Sequence, residues 1–181
     1  MKSTPAYILR LALTLLIITS LVAAALAGVN AVTAPIIAGL TAEKTQAAVE
    51  KVLPGGGEKL DAFEDTTGLV NAVYVSDAGY AIEVAPSGFN GAITMMVGVS
   101  VEGKVLGIDI ISHAETPSLG AVAADKGSAG QSFRDSFVGL SGQLSVSDID
   151  AITGATITSR AVTQGVNAAL ACAANLSKEA A

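Results

Sequence analysis

Cysteine, tryptophan, histidine and basic charge are all scarce in this 181-residue chain. The single cysteine, Cys172, permits no internal disulfide, no Fe–S cluster and no cysteine-based zinc site. It lies among alanines near the C-terminus, where a buried, inert thiol is the expectation. The only histidine, His113, has no second His or Cys to complete a metal set, so no metal site is expected. With no metal or thiol centre available, any redox work requires a bound cofactor. Lys and Arg number 10 against 16 Asp and Glu, a net charge of −6. Lys2 and Arg10 fall in the first ten residues, which hold no acid. The remainder carries about −8, eight basic against sixteen acidic residues. A domain so charged repels phosphate backbones, and no basic patch with interleaved aromatics exists, which excludes nucleic-acid binding. Trp is absent and aromatics make up 4%, so the core must be built from small aliphatic side chains on a sheet.

Long apolar runs, by contrast, are present. An uncharged stretch begins at Leu11 and continues with few polar interruptions to Leu40. About 20 residues suffice to cross a bilayer as a helix. Positive charge before the run predicts a cytoplasmic N-terminus and a domain outside. Ala25-Leu26-Ala27 also fits the small-residue pattern of a cleaved signal peptide. The run does not stop there, because Ile36, Ile37 and Leu40 extend it past Pro35, which favours a retained anchor. A mature N-terminus at Gly28 would overturn that choice. Pro35 is expected to kink or interrupt the helix near the membrane surface.

From Thr41 to Leu53 the pattern is again helical, and Pro54-Gly55-Gly56-Gly57 ends it. Strand signals follow. Ala72–Val75 and Tyr80–Val84 flank a turn at Ser76–Gly79, and Ile93–Val99 and Lys104–Ile111 flank Glu102-Gly103. No long helical pattern separates these strands, so a mainly antiparallel sheet flanked by helices is expected, an α+β fold. Residues 121–130 read as irregular, Ser132–Phe137 as a short helix turning two aromatics inward, and Leu144–Ile149 as a final short strand. That strand delivers Asp150-Ala-Ile-Thr153-Gly154-Ala155-Thr156-Ile-Thr158-Ser159, a hydroxyl-rich turn running into a helix. Thr158 and Ser159 are candidate caps, and Val162, Val166, Ala169, Leu170, Ala173 and Leu176 form one apolar face. Free N–H groups at a helix start suit a phosphate, and Gly154 and Ala155 leave room for a bulky group at Thr156. Asp150 is expected to accept hydrogen bonds from the turn. A plain N-capped amphipathic helix explains the same residues.

Three segments resemble one family. Asp150-x-x-Thr153-Gly154-Ala155-Thr156-x-Thr158 resembles the flavinylation motif of membrane FMN-binding domains. That family includes the G subunit of the Rnf ion-translocating ferredoxin:NAD⁺ oxidoreductase and the C subunit of the Na⁺-translocating NADH:quinone reductase. Gly88-Phe89-Asn90-Gly91-Ala92-Ile93 resembles its Gly-aromatic-x-Gly-x-Ile loop, in which Gly91 lets backbone approach a ring. His113-Ala-Glu115-Thr116-Pro117-Ser118-Leu119-Gly120 resembles the His-x-Glu-Thr-Pro-Gly-Leu-Gly signature of the Rnf member. Ser118 departs from the family's glycine there, which puts a turn with φ > 0 in question.

The resemblance implies FMN carried as a phosphoester on Thr156, with Asp150, Thr153, Gly154, Ala155, Thr158, Glu115, Thr116, Leu119 and Gly91 around it. It implies a single-pass anchor over 1–40, a connecting helix and glycine-rich linker over 41–57, and an extracytoplasmic FMN-binding domain over 58–181. It further implies a component of the Rnf complex that relays electrons beside integral membrane and Fe–S subunits, and cannot pump or catalyse alone. Maturation would need a separate flavin transferase using FAD and Mg²⁺. Two other readings stand beside it: a stand-alone flavinylated extracytoplasmic carrier, and a non-enzymatic anchored binding module, which would purify colourless.

Overall fold

The structure is a computed structural model that describes residues 4–179. Lys2, one of the two N-terminal cations, lies outside them. The chain divides into two compact units, Met1–Glu43 and Lys44–Ala181.

The first unit is helix. Helix α1 (Thr4–Val52) begins here, and its last turns belong to the second unit. Leu15, Leu16, Leu21 and Leu26 are all exposed, so no packing within the chain explains this apolar surface. The helix is long and apolar enough to cross a membrane. Its few hydroxyls are folded back onto the helix, with Thr14, Thr19, Thr33 and Thr41 donating to carbonyls one turn earlier. Pro35 does not interrupt it, contrary to the reading of Pro35 as a break and Thr41–Leu53 as a separate helix. Proline removes one backbone donor but leaves the remaining ladder on both sides, and an apolar helix has no better partner for those groups than itself.

The second unit is a three-layer domain. Five strands form an antiparallel meander in the order β1-β2-β3-β4-β5. They are β1 (Glu58–Lys59), β2 (Val70–Ser76), β3 (Gly79–Val84), β4 (Thr94–Ser100) and β5 (Val105–Ser112). Both expected hairpins are present. One face of the sheet packs Ala81 and Met96 against Ala48, Val49, Val52 and Leu53 from the end of α1. The other packs Ile82, Val84, Met95 and Val97 against Phe133 and Phe137 and against α3 (Thr156–Glu179). Covering both faces leaves β4 buried along nearly its whole length, which is why its run of Met and Val shows no polar alternation. The α+β class with a flanked antiparallel sheet is the observed one.

Two segments differ from the sequence reading. Residues 121–130 are ordered rather than irregular: Gly120–Ala124 is a 3₁₀ turn, and α2 (Ser128–Asp135) starts at Ser128. Arg134 binds them together, donating to the carbonyls of Ala123 at 2.6 Å and Asp125 at 3.0 Å. Phe133 and Phe137 do turn inward, in edge contact at 5.4 Å. Leu144–Ile149 is not a strand; Val146–Asp148 is a 3₁₀ turn. Asp148 accepts from the Ser145 N–H and hydroxyl, at 2.7 and 2.8 Å, and these side-chain bonds outcompete a ladder.

The layers meet at two glycines. A Cβ at Gly98 would collide with the Val52 backbone carbonyl, whereas one at Gly165 would meet side chains, the end of Met95 and the ring of Pro86. Gly98→Ala should therefore lower stability by roughly 1–3 kcal/mol, and Gly165→Ala by less, because its worst clash is with the movable end of Met95 rather than with backbone, although the Pro86 ring must also give slightly. Thermal unfolding of the two variants checks this order.

Candidate functional site: a cleft at the start of the last helix

Three loops converge where α3 begins. The first is 86–93, between β3 and β4; the second is 113–120, after β5; the third is the turn 150–155. The buried carboxylate of Glu115, 6% exposed, joins them. Its Oε1 accepts from the N–H groups of Phe89 at 2.8 Å and Asn90 at 3.1 Å. Its Oε2 accepts from the Thr158 hydroxyl in the first turn of α3. Asn90 adds a link to Thr116 at 3.3 Å. His113, exposed just beyond β5, accepts the Glu115 N–H on its Nδ1 at 3.2 Å. Both Gly88 and Gly120 press against the carboxylate, and a Cβ at either would collide with it. Burial pushes the Glu115 carboxyl up, but the hydrogen bonds from Thr158, Asn90 and Phe89, with His113 nearby, hold it below the usual value.

Thr158 and Ser159 are thus not caps. Thr158 is buried and spends its hydroxyl on Glu115, and Ser159 accepts the Ile152 N–H at 3.1 Å while donating to the Ala155 carbonyl. Ser159 therefore does what was expected of Asp150. The Ala151 N–H bonds the Ile149 carbonyl at 3.0 Å, a tight turn that leaves Asp150 exposed, with no hydrogen bond among the described residues. Gly154 takes φ +80°, closing the turn ahead of the helix. Among the described residues, no side chain accepts from the N–H groups of Thr156, Ile157 or Thr158. The Thr156 hydroxyl is exposed and unbonded on the same terms.

These elements enclose a cleft of about 240 Å³. Glu115, Thr116, Leu119, Gly154, Ala155, Thr156 and Thr158, all chosen from the sequence, line it. Asp150, Thr153 and Gly91 do not; all three are exposed nearby in the chain. Phe89, Gly120 and Ile157 line it without having been singled out. Outside α1, six large apolar side chains are exposed among the described residues, and Phe89, Leu119 and Ile157 are three of them. Leu119 and Phe89 stand in the segments that carry the family resemblance, whereas the exposure of Ile157 is visible only once the fold is known. A larger hollow of about 540 Å³, bounded by Leu69, Gln143 and Asn167 among others, holds no ionisable side chain and none of the predicted residues. Of the two, the smaller cleft gathers the predicted residues.

Ser118 resolves the question its identity raised. It adopts φ +62°, the one non-glycine residue with positive φ among those described, so the loop keeps the turn a glycine would make.

The cleft suits a flavin mononucleotide. An unbonded hydroxyl and uncapped helix N–H groups meet a phosphate, and apolar side chains at the rim meet a flat ring. At about 240 Å³ it falls below the roughly 300 Å³ needed to bury a whole ligand, so part of such a group lies at the surface.

Fold and cleft together define an FMN-binding domain, and the FMN-binding domain family matches residues 88–171. The G subunit of the Na⁺-translocating ferredoxin:NAD⁺ oxidoreductase complex of Acetobacterium woodii is 32% identical, covering 94% of each chain. The chain belongs to the family of G subunits of ion-translocating ferredoxin:NAD⁺ oxidoreductase complexes. The G subunit of the proton-translocating complex of Clostridium ljungdahlii is 41% identical over 50% of this chain and 51% of its own length. Its counterpart in the ion-translocating oxidoreductase complex of Vibrio atlanticus is 41% identical over 50% and 47%.

The loops give two testable consequences. A carboxyl held low in the folded state adds stability above its unfolded value, about 4.3, and that stability is lost as pH falls through the folded value. The unfolding midpoint should be flat from neutral pH to about 5 and drop below about 4. Glu115→Gln should lower it at neutral pH by roughly 1–3 kcal/mol and flatten the acid slope. Ser118→Gly should raise stability by up to about 1 kcal/mol, because it removes the cost of a left-handed Cβ. Thermal melts across pH check both.

Proposed function

We propose that this chain is a membrane-anchored flavoprotein that relays electrons within an Rnf-type complex through FMN joined by its phosphate to Thr156. The observation that carries this reading is the Thr156 hydroxyl, exposed and unbonded at the uncapped start of α3, inside a cleft rimmed by exposed Phe89, Leu119 and Ile157. The names of the relatives support the complex, and the matched domain supports the cofactor.

Each residue has a task. Thr156 would hold the group: its Oγ1 would displace AMP from the FMN phosphorus of FAD, with the hydroxyl proton released to solvent. A separate transferase with Mg²⁺ performs that step. Exposure of Asp150 and Thr153 leaves them available to that enzyme. The N–H groups of Thr156–Thr158 would hold the remaining phosphate charge. Gly154 and Ala155 keep the approach clear, and Gly91 leaves the loop backbone uncovered, with nothing near its missing Cβ. Glu115, Thr116 and Leu119 form the opposite wall. Bound FMN supplies one- and two-electron chemistry, and the protein supplies placement. Residues 1–40 anchor the chain once through the cell membrane, with the N-terminus cytoplasmic and the domain over 58–181 outside. There, a covalent tether prevents loss of the flavin.

Co-expression with a flavin transferase, followed by boiling in SDS and in-gel fluorescence, tests the assignment. The wild-type band should fluoresce, Thr156→Val should be dark, and Thr153→Ala should still fluoresce. A dark wild-type band beside an active transferase would leave an anchored binding module as the better reading.

A further inference from the structure

The meander ends on an open edge. Among the described residues, β5 pairs with β4 on one side, and on the other only Val105 is engaged, by Leu140 and Gly139. From Leu106 to Ser112 that side has no backbone partner among them. A hollow of about 630 Å³ opens at the start of this edge, against Leu106, Gly107 and Ile108. It has walls from both faces of the sheet: Lys51 and Val52 from the α1 side, and Arg134 and Val138 from the α2 side. A trough that wraps an unpaired edge from above and below is where a sixth strand would lie.

Its surface has a distinct chemistry. Five of the six exposed large apolar side chains outside α1 fall in two patches; Phe89, Leu119 and Ile157 rim the flavin cleft, and Leu106 and Val138 line this trough. Lys51, Lys126 and Arg134 line it too, three of the eight basic residues beyond the first ten, against Asp135 as the one acid. Lys51 pairs with Asp109, whereas Lys126 has no acid partner among the described residues and Arg134 bonds only carbonyls. In a chain with a large excess of acid, this is a local excess of positive charge.

We infer that the β5 edge receives an extended segment of a neighbouring protein of the complex, one that alternates apolar and acidic side chains. Backbone bonds to β5 would set its direction, Leu106 and Val138 would take its apolar side chains, and Lys126 and Arg134 its carboxylates. A second copy of this chain is a poor occupant. Pairing β5 with β5 would set the three basic residues of each trough against the same three of the other, with only Asp135 of each lining and the already paired Asp109 as acids. The inference rests on membership of a complex and does not depend on FMN or on Thr156.

Hydrogen exchange on the full chain, alone and in the purified complex in the same detergent, tests it. Amides of Leu106–Ser112 should exchange roughly tenfold more slowly in the complex. Equal exchange in both would overturn the inference, and the lysines would then serve only to guard a bare edge. Protection in the isolated chain that grows with its concentration would also overturn it, in favour of a second copy. The paired variant Lys126→Glu/Val138→Glu changes two exposed side chains that do not line the cleft. It should melt as the wild type does and keep its flavin fluorescence, yet co-purify with the complex at about a tenth of the normal yield. Full occupancy by that variant would overturn the proposal, and a loss of fluorescence alone would concern only the flavin reading.

Discussion

The cleft depends on one buried carboxylate. Glu115 is surrounded by donors from two distant segments, the Phe89-Asn90 loop and the Thr158 turn, and by two glycines that let it approach. A buried charge without such partners is costly, so the three bonds are a condition of the fold rather than an ornament on it. They also fix the position of everything around Thr156. The helix start, the loop after β5 and the loop before β4 cannot shift independently while they share those oxygens.

That arrangement separates rigid support from reactive surface. Thr158 and Ser159, two and three residues beyond Thr156, are buried and fully bonded. Thr156 is left exposed with its hydroxyl unspent. A helix surface produces this contrast by geometry, since successive residues point about 100° apart and only some of them can face the core. The same principle divides the domain as a whole: small aliphatic residues on both faces of the sheet hold it together, and the loops at one end carry the chemistry.

The sheet is legible in the sequence because its strands alternate or run apolar between clear turns, and Ser76–Gly79 and Glu102-Gly103 punctuate them. The apolar face of α3 is legible for the same kind of reason. Leu144–Ile149 is misread as a strand because its apolar residues suggest one, while the bonds of Asp148 to Ser145 are specific to a local conformation. Residues 121–130 lack any periodic signal, and their order comes from Arg134 reaching back to carbonyls that only the tertiary fold brings near. Pro35 is a strong breaker in water, yet α1 passes through it, because no alternative backbone partner competes along an apolar helix.

By itself, then, the amino-acid order determines the apolar run, the antiparallel meander, the hydroxyl-rich turn and the family that these residues resemble. Each of these rests on neighbours in the chain or on a repeating period. The tertiary structure alone decides which hydroxyls are spent. Thr153, Thr156, Thr158 and Ser159 are chemically alike in sequence, and only the arrival of Glu115 from forty-three residues away spends one of them and leaves another open. Contacts across such distances have no local signature, so although the motif resemblance points to Thr156, only the fold shows that the Thr158 hydroxyl is spent.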